Sequence, residues 1–356
     1  MTNPSAQAEG TDIGYLTDLS PRDKPWDVHK RQSGQVTDLY HGTFYDAYAG
    51  RIRHCSGQLS FCWGEHPQTG ERRLKLKACR FCRVRHCPIC QWRRSLMWIA
   101  RFFKALPKIQ ADHPKVRWIW LTLTVKNCDV SELKATIGQM NQAWKRLSQR
   151  KQFPVIGFAR STEVTRAYEC HLGTTYLGRH GKTWVRAWEA AHRGKTLTCI
   201  PTDEVHPHFH VLAMVNPSYF QGKYYLSQAD WQQLWKEALR VEYEPVTHIQ
   251  VVKPNPKRPG SGLDAAIVET FKYTTKPEDL MGDGSPEDQA WLVEFTKQLH
   301  KTRSIALGGV IKNYLSESEP EELLTEDGDT ELLEEASRLL FGWREVISRY
   351  VQYSDE

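Results

Sequence analysis

A block of cysteines in the N-terminal third constrains this chain more than any other feature. Two Cys-x2-Cys pairs, Cys79 with Cys82 and Cys87 with Cys90, fall within twelve residues. Pairs at this spacing are typical of a structural zinc site, and the alternative is a set of reduced cysteines without metal. The first residues have neither a basic leader nor an apolar core, so we expect no signal peptide and a cytoplasmic location, where disulfides are rare.

The spacing also bears on which four sulfurs bind the zinc ion. Two pairs separated by only four residues are cramped, because such pairs usually lie farther apart to surround a tetrahedral ion. A more distant ligand is easier to accommodate, and Cys55 is the candidate. The predicted set, for which Cys79 is the substitute, is Cys55, Cys82, Cys87 and Cys90.

The charge of the chain is unevenly distributed. Residues 316–329 hold seven of the 42 acids and no Lys or Arg, so the remainder, with all 48 basic residues, carries a net charge of +13. A basic body fits a polyanion such as DNA, although solvated surface charge is the alternative. A closed sulfur site does no chemistry, and we expect it to stiffen the segment that presents Arg93 and Arg94 to DNA phosphates, with Lys272 as a further contact.

Hydrophobic patterning predicts strands and helices in mixed order. Alternating β-branched and aromatic residues predict strands at residues 116–125, 155–168, 205–215 and 248–252. Helical spacing and caps predict helices at residues 92–106, after Ser131, after Ser227, and at residues 263–276, 286–303 and 331–351. Pro107 and Pro277 are expected to end two of these helices.

This order predicts an α+β fold in which helices pack on one face of a mostly antiparallel central sheet. No stretch approaches the roughly 20 apolar residues that span a bilayer. We expect four regions along the chain: a disordered or extended N-terminus at 1–36, a cysteine-rich zinc-binding segment and helix at 51–106, a central domain at 107–315, and an acidic linker with a C-terminal helix at 316–356.

Residues 206–210, with the sequence His-Pro-His-Phe-His, lie on the third predicted strand. Strand side chains alternate between faces, so His208 and His210 share one face and can bind one divalent ion. The third ligand is Glu163, if its strand pairs alongside, or His206. Such a set suits Mg²⁺ or Mn²⁺ and can also hold Zn²⁺, whereas the alternative is three unrelated histidines on an exposed face.

A tyrosine lies on the predicted helix at residues 263–276. Positions i and i+4 share a helix face, so the Glu269 carboxylate is expected beside the Tyr273 phenol, and Lys276 is adjacent at i+3. A phenol with an ordinary pKa of about 10 becomes a useful nucleophile if a cation stabilises the phenolate and a metal withdraws charge from a phosphate. Glu269 is then placed to activate a second nucleophile. The alternative is an amphipathic helix with surface ion pairs.

The strand Leu-Thr-Leu-Thr at residues 121–124, the histidine strand and the tyrosine helix, in this order, resemble the plasmid rolling-circle replication initiators of the HUH endonuclease superfamily. The resemblance is greatest to the single-tyrosine branch, in which a glutamate precedes the catalytic tyrosine by four residues, as Glu269 precedes Tyr273. It implies an HUH domain at residues 107–315 with an RRM-like, ferredoxin-like core.

Two further segments carry the resemblance, which covers residues 51–312. Residues 81–94 (FCRVRHCPICQWRR) are similar to the cysteine block of that family, which has a further upstream cysteine like Cys55. Residues 157–165 (GFARSTEVT) are similar to its Gly-aromatic strand with an acid, which is Glu163 here.

The resemblance implies a mechanism. The protein binds a double-strand origin, and Tyr273 attacks a phosphate held near a metal on His208, His210 and Glu163. The enzyme keeps the 5′ end as a phosphotyrosine, and the free 3′-hydroxyl primes synthesis. At termination Glu269 assists a water or strand end. DNA is the implied partner, together with a host helicase and polymerase, and no membrane is involved.

Three alternatives remain open from the sequence. A histidine-triad nucleotide hydrolase also has His-x-His-x-His followed by two apolar residues, as at residues 206–212. A zinc-dependent DNA-binding regulator without catalysis accounts for the cysteines and the charge, but not for the histidine strand. A relaxase or transposase shares the chemistry and differs in biology.

Overall fold

The computed structural model describes residues 14–192, 194–253, 262–272, 275–316, 323–324 and 332–353. The helices are α1 Leu16–Leu19, α2 Lys24–Tyr40, α3 Asp46–Arg53, α4 Pro88–Asp112, α5 Leu133–Ser148, α6 Lys182–Ala191, α7 Gln228–Leu239, α8 Leu263–Phe271, α9 Pro277–Met281 and α10 Pro286–Leu299. The strands are β1 Gln58–Glu65, β2 Arg72–Cys79, β3 Arg117–Thr124, β4 Cys128–Asp129, β5 Val155–Leu172, β6 Thr175–His180, β7 Thr198–Val215, β8 Thr247–Val251, β9 Ile305–Gly309, β10 Leu333–Glu334, β11 Leu339–Arg344 and β12 Arg349–Gln352.

The larger sheet is antiparallel and runs in the order β6-β5-β7-β3-β8, with β4 on the edge of β7 and β9 on the edge of β5. Its centre is the long pair of β5 and β7, which the alternating sequences at residues 155–168 and 205–215 predicted. The segment between them forms β6 and α6, as an elaborated hairpin. The α+β class and the antiparallel sheet are therefore confirmed.

Helices cover both faces of this sheet, so the prediction of helices on one face is wrong. Phe209, Val211 and Ala213 of β7 pack in a core with residues of α5 and α7. Leu212 and Met214, on the other face, pack in a second core with residues of α4 and α8. Both faces of the centre of β7 are apolar, and each face needs its own covering layer because exposed apolar area is costly.

A smaller antiparallel sheet joins the two ends of the chain. β1 pairs with β2 on one edge and with β10 and β11 on the other, and β12 pairs with β11. The predicted C-terminal helix at 331–351 is therefore wrong, because residues 339–344 and 349–352 are strands. Phe341 and Tyr350 are fully buried there, and pairing with β1 overrides the local helical spacing.

The N-terminal segment is also more ordered than expected. Residues 14–36, which we predicted to be extended or disordered, include α1 and most of α2. Trp26 is fully buried, and its ring makes edge contacts with Phe61, Trp92 and Tyr350. Leu16 and Val36 are fully buried as well, and together these side chains bury enough apolar area to order a segment that is otherwise polar.

Three predicted helix boundaries are wrong. α4 continues through Pro107 to Asp112. An interior proline costs about 3 kcal/mol, but burial of the nearby Leu106 and Ile109 contributes about 1.5–3 kcal/mol each. Ser131 does not cap α5, because it lies in a short 3-10 turn and donates to the Asp129 carboxylate. α8 ends at Phe271 rather than Lys276.

Among the described residues, no helix has the length and apolar character needed to cross a bilayer.

Candidate active site and zinc centre

Two neighbouring strands bring Glu163, His208 and His210 together. In the register of β5 and β7, Glu163 lies directly opposite His208. The alternation of β7 puts both histidines on the face that carries α4 and α8. Glu163 Oε2 lies 3.0 Å from His210 Nε2 and 3.6 Å from His208 Nε2. One ligand atom from each residue lies within 4.8 Å of the others.

The protonation of these groups suits a divalent cation. Burial acts to raise the pKa of the Glu163 carboxyl, but hydrogen bonds and charge interactions with the two histidines outweigh it and hold the pKa well below the usual range. Burial lowers the pKa of His210, against the opposing effect of the Glu163 and Glu269 carboxylates. An ionised carboxylate beside a neutral imidazole is the donor set that Mn²⁺, Mg²⁺ or Zn²⁺ accepts. These three residues therefore fit a metal.

His206, the alternative third ligand, is not in this group. Its Nδ1 lies 2.9 Å from Asn127 Oδ1, and its backbone pairs with Thr165 within the ladder of β5 and β7. Burial, with a further contribution from His208, lowers its pKa to about 4. The structure therefore groups Glu163, rather than His206, with the two strand histidines.

Helix α8 is joined to this triad through Trp120. The Trp120 ring stacks on the His210 imidazole, with centroids 4.8 Å apart and planes 15° apart. Its indole nitrogen donates to Thr270 Oγ1 at 3.2 Å. Thr270 follows Glu269 in α8, so the contact fixes the end of this helix beside the metal-binding face.

Tyr273, the predicted nucleophile, lies outside the described residues. α8 ends at Phe271, and Lys272 is extended, with φ −61° and ψ 178°. We predicted that one helix would put Tyr273 at i+4 from Glu269 and Lys276 at i+3 from Tyr273. Because α8 ends at Phe271, one continuous helix does not provide these two relationships. The local sequence spacing was compatible with a helix that continues to Lys276. The last residue of α8 is instead Phe271, whose ring stacks on Trp98 and whose carbonyl accepts a 2.7 Å hydrogen bond from Ser95 Oγ.

Lys276 and Glu269 have other described partners. Lys276 is the residue before α9, and its Nζ donates to Thr183 Oγ1 at 2.6 Å. Glu269 forms an ion pair with Lys272. Lys272 thus neutralises the carboxylate that lies nearest the triad in α8.

The cysteine block forms a second candidate metal site. One sulfur from each of four cysteines lies within 4.8 Å of the others, and the group is Cys55, Cys82, Cys87 and Cys90. Cys90 Sγ is 3.6 Å from Cys55 Sγ and 3.7 Å from Cys82 Sγ. Tetrahedral zinc with Zn–S bonds of about 2.3 Å separates its sulfurs by about 3.8 Å. The predicted set therefore has the right spacing, and Cys79 is not in the group.

The protein supports these sulfurs from outside. The backbone N–H groups of Cys82 and Arg83 point at the sulfurs of Cys55 and Cys90, at 3.4 and 3.3 Å. Lys30 of α2 donates to the Cys55 carbonyl at 2.6 Å. Hydrogen bonds to thiolates stabilise their charge, which metal binding requires.

Arg93 was predicted to contact DNA, and the structure contradicts this. Its side chain is fully buried and donates to the carbonyls of Leu323 and Leu324, at 2.9 and 2.7 Å. The guanidinium also lies 5.3 Å from the Trp26 ring centroid. The sequence shows two adjacent arginines, but it does not show which of the two side chains is buried. Arg94, the neighbour, is half-buried and donates to the Arg83 carbonyl.

Sequence reasoning missed Trp120 and Thr270. Trp120 shares a strand face with Thr122, which lies 3.2 Å from His210 Nδ1. The alternation of the predicted strand 116–125 was therefore a signal for Trp120. No comparable signal existed for Thr270, because its partner is 150 residues away.

A family model described as replication protein, Rep_1, matches residues 73–351. The chain is 30% identical to "Protein rep" of Streptococcus pneumoniae over an alignment of 339 residues, which covers 92% of this chain and 92% of that one. It is 30% identical to "Protein rep" of Bacillus amyloliquefaciens, over 96% of this chain and 98% of that one. It is 31% identical to "Protein rep" of Lactiplantibacillus plantarum, over 86% of this chain and 85% of that one. No solved structure was found to match.

Proposed function

This chain belongs to the Rep_1 family of replication proteins, and from that premise we propose that it initiates rolling-circle plasmid replication by nicking one strand of the origin. Tyr273 is the proposed nucleophile. The observation that carries the proposal is the triad of Glu163, His208 and His210, with α8 fixed against it through Trp120. The chain leaves α8 at Lys272, the residue before Tyr273.

Glu163, His208 and His210 are the proposed ligands of a catalytic Mg²⁺ or Mn²⁺. When bound there, the ion withdraws charge from the scissile phosphate and orients it. The ionised Glu163 supplies the negative charge that holds such an ion. The Trp120 ring fixes the His210 imidazole, and Thr122 accepts or donates at its other nitrogen.

In the proposed step, the Tyr273 phenol oxygen attacks the phosphorus atom. A bond forms between this oxygen and phosphorus, and the bond from phosphorus to the 3′ oxygen breaks. The phenol loses its proton and the leaving 3′ oxygen gains one, so the products are a 5′-phosphotyrosine and a free 3′-hydroxyl. That hydroxyl primes synthesis.

Glu269 and Lys276 complete the proposed chemistry. Glu269 activates the water or 3′-hydroxyl that resolves the phosphotyrosine at termination, and Lys276 stabilises the phenolate. The ion pair of Glu269 with Lys272 and the contact of Lys276 with Thr183 then belong to the state before DNA binds.

The connectivity of the sheet supports an HUH-type core. The order β3-α5-β5-β7-α7-β8 along the chain, with strands arranged β5-β7-β3-β8, is the β-α-β-β-α-β pattern of ferredoxin-like folds. In this arrangement the histidine strand is central and Glu163 is on its neighbour. We propose that the RRM-like core implied by the family resemblance is this part of the chain.

The test is to trap the covalent intermediate. The protein is incubated with labelled single-stranded origin DNA and Mn²⁺, denatured, and the modified residue is mapped by mass spectrometry. The expected product is a DNA adduct on Tyr273 that requires added metal. Tyr273→Phe is expected to form none.

Tyr314→Phe is the matched control, because the Tyr314 hydroxyl donates to the Asp112 carboxylate at the end of α4. It should form the adduct at the native rate. An adduct that persists in Tyr273→Phe, or that maps to a histidine, overturns the assignment. A chain that binds origin DNA but never cleaves it supports the non-catalytic zinc-dependent regulator instead.

A further inference from the structure

A cleft of about 710 Å³ lies beside the zinc segment, outside the triad. One part of its lining comes from the zinc segment and α4, another from α3, and a third from the end of α10 and the turn into β9. The last residues of α8, Phe271 and Lys272, also line it. Its volume lies within the range of about 300–1,000 Å³ that is typical of ligand sites.

The described lining is strongly basic. It contains seven Lys or Arg side chains and no Asp or Glu: Arg51, Arg83, Arg85, Arg94, Lys272, Lys301 and Arg303. Arg85 crosses between two parts of the lining and donates to the carbonyls of Leu299 and Thr302, at 3.0 and 2.7 Å. Arg83, Lys301 and Arg303 are exposed. A concave basic surface concentrates polyanions, because its field is focused by the surrounding low-dielectric protein.

Two buried polar side chains in the lining lack partners. His86 is 1% exposed and Gln91 is 6% exposed. Neither ring nitrogen of His86 and neither amide atom of Gln91 has a hydrogen-bond partner among the described residues. Burying such groups unpaired costs about 1–3 kcal/mol each, which a bound ligand with donors and acceptors can recover.

Aromatic rings stand at the α3 part of the cleft. Tyr45 and Tyr48 stack with centroids 5.2 Å apart and planes 25° apart. The Arg51 guanidinium lies 5.5 Å from the Tyr48 ring centroid. Aromatic rings beside a basic groove are the combination with which proteins hold unpaired bases and their phosphates.

The cleft is continuous with the metal-binding strand. Ser304, in its lining, accepts a 2.8 Å bond from the backbone N–H of Thr162, the residue before Glu163. Ile305 pairs with Ser161 in the same ladder. At its other boundary, the cleft reaches Lys272, the last described residue before Tyr273. A strand lying in the cleft thus runs from Lys272 toward the strand that carries Glu163.

We propose that this cleft binds single-stranded DNA and guides it to the metal-binding triad. The basic side chains hold phosphates, Tyr45 and Tyr48 stack on bases, and His86 and Gln91 bond to base edges or phosphate oxygens. This inference rests on the proposed nicking function and adds the route by which the strand reaches the site.

The first test measures DNA binding without catalysis. Fluorescence anisotropy with a labelled oligothymidylate is performed on the Tyr273→Phe chain without added divalent metal, and without a chelator so that the candidate zinc site is not stripped. Lys301→Asn with Arg303→Gln removes two charges, and asparagine suits the left-handed backbone of Lys301 at φ 59°. We expect about tenfold weaker binding and a salt dependence shallower by about 1.4 log units per log unit of salt.

The control is Lys145→Gln with Lys151→Gln. Both lysines are exposed, at α5 and just beyond it, on the opposite face of the sheet. The two double variants have the same net charge, so a difference between them reports position rather than total charge. Equal affinity of the two variants overturns the proposal.

A second variant tests the unpartnered side chains. Gln91→Met keeps the volume and removes the buried amide. A merely structural role predicts native DNA affinity, whereas the proposal predicts several-fold weaker binding while the melting temperature is unchanged or higher. A variant that melts higher and binds DNA normally removes Gln91 from the site.

The result is separable from that of the adduct experiment. If the cleft variants bind DNA normally but the native chain forms a Tyr273 adduct, the cleft inference is wrong and the nicking function stands. If cleft binding is confirmed but no adduct forms, the nicking function is wrong. If the oligothymidylate does not bind and an acidic peptide does, the occupant is a protein segment and the proposal fails.

Discussion

Glu163 Oε2 lies 3.0 Å from His210 Nε2, although the two residues are 47 positions apart in the chain. The contact exists because β5 and β7 pair in a register that puts Glu163 beside His208. A shift of one residue in that register turns the carboxylate to the opposite face. The pairing of these two strands therefore decides whether the chain has this candidate metal site.

Glu163→Gln is expected to weaken Mn²⁺ binding by roughly 100-fold or more, since loss of even a ligand's hydrogen-bond partner typically costs 10–100-fold. The amide keeps the shape of the side chain and removes its charge. Titration of Mn²⁺ followed by electron paramagnetic resonance measures the change. Glu169→Gln, on the same strand but paired with His171, is the control. Native Mn²⁺ affinity in Glu163→Gln excludes this carboxylate as a ligand.

Cys90→Ser is expected to lose zinc, because Cys90 belongs to the group of four sulfurs. Zinc content, measured by plasma mass spectrometry, should fall from one ion per chain to near zero, and the melting temperature should fall with it. Cys79→Ser should keep its zinc, since Cys79 is outside the group. Loss of zinc in Cys79→Ser with retention in Cys90→Ser reverses the ligand assignment.

Arg93→Gln and Arg94→Gln separate a structural arginine from a DNA contact. Arg93→Gln should cost about 2–4 kcal/mol of unfolding free energy, because the carbonyls of Leu323 and Leu324 lose their donor. Arg94→Gln should cost less than about 1 kcal/mol of unfolding free energy. It should reduce the slope of log affinity against log salt concentration, for single-stranded DNA, by about 0.7. Urea denaturation and anisotropy measure the two effects. The opposite pattern restores Arg93 as the DNA contact.

Asp279→Asn is expected to stabilise the chain increasingly as pH rises. Asp279 is 1% exposed, and burial raises its pKa to about 7 although Lys182 and Lys276 oppose this. Between about pH 4 and pH 7 the folded chain holds a proton that the unfolded chain has lost, so folding is penalised as pH rises. The penalty is absent below about pH 4 and complete above about pH 7.

The free energy of unfolding of Asp279→Asn, relative to that of the native chain, should therefore rise by roughly 2–3 kcal/mol between pH 5 and pH 8. Urea denaturation at each pH measures it. Asp203→Asn, at an exposed carboxylate, reports the general effect of removing one negative charge. A difference between Asp279→Asn and the native chain that stays constant with pH contradicts the raised pKa.

The elements of the candidate metal sites were predictable because their signals are local. Two-residue alternation put His208 and His210 on one face, and Cys-x2-Cys spacing indicated a zinc site. Cys55 required only the argument that a distant sulfur relieves crowding. Family membership, predicted from the order of these motifs, is confirmed by the match over residues 73–351.

Other predictions failed where long-range contacts outweigh local preference. Residues 339–344 have helical spacing but form a strand, because β1 offers an unpaired edge and Phe341 enters the core. α8 was expected to run to Lys276, but the packing of Phe271 on Trp98 accompanies an earlier end. Such contacts join residues more than 150 positions apart and leave no periodic trace in the sequence.

The amino-acid sequence alone determined which chemical groups this protein carries and on which strand faces they lie, because backbone geometry sets those periodicities within a few residues. Only the tertiary structure decided which groups meet. It buried Arg93 while leaving Arg94 at a cleft, and it gathered basic side chains from α3, α4 and the α10–β9 turn into one surface. Those outcomes depend on the packing of distant segments against a shared core, where the burial of apolar area outweighs the preference of any single residue.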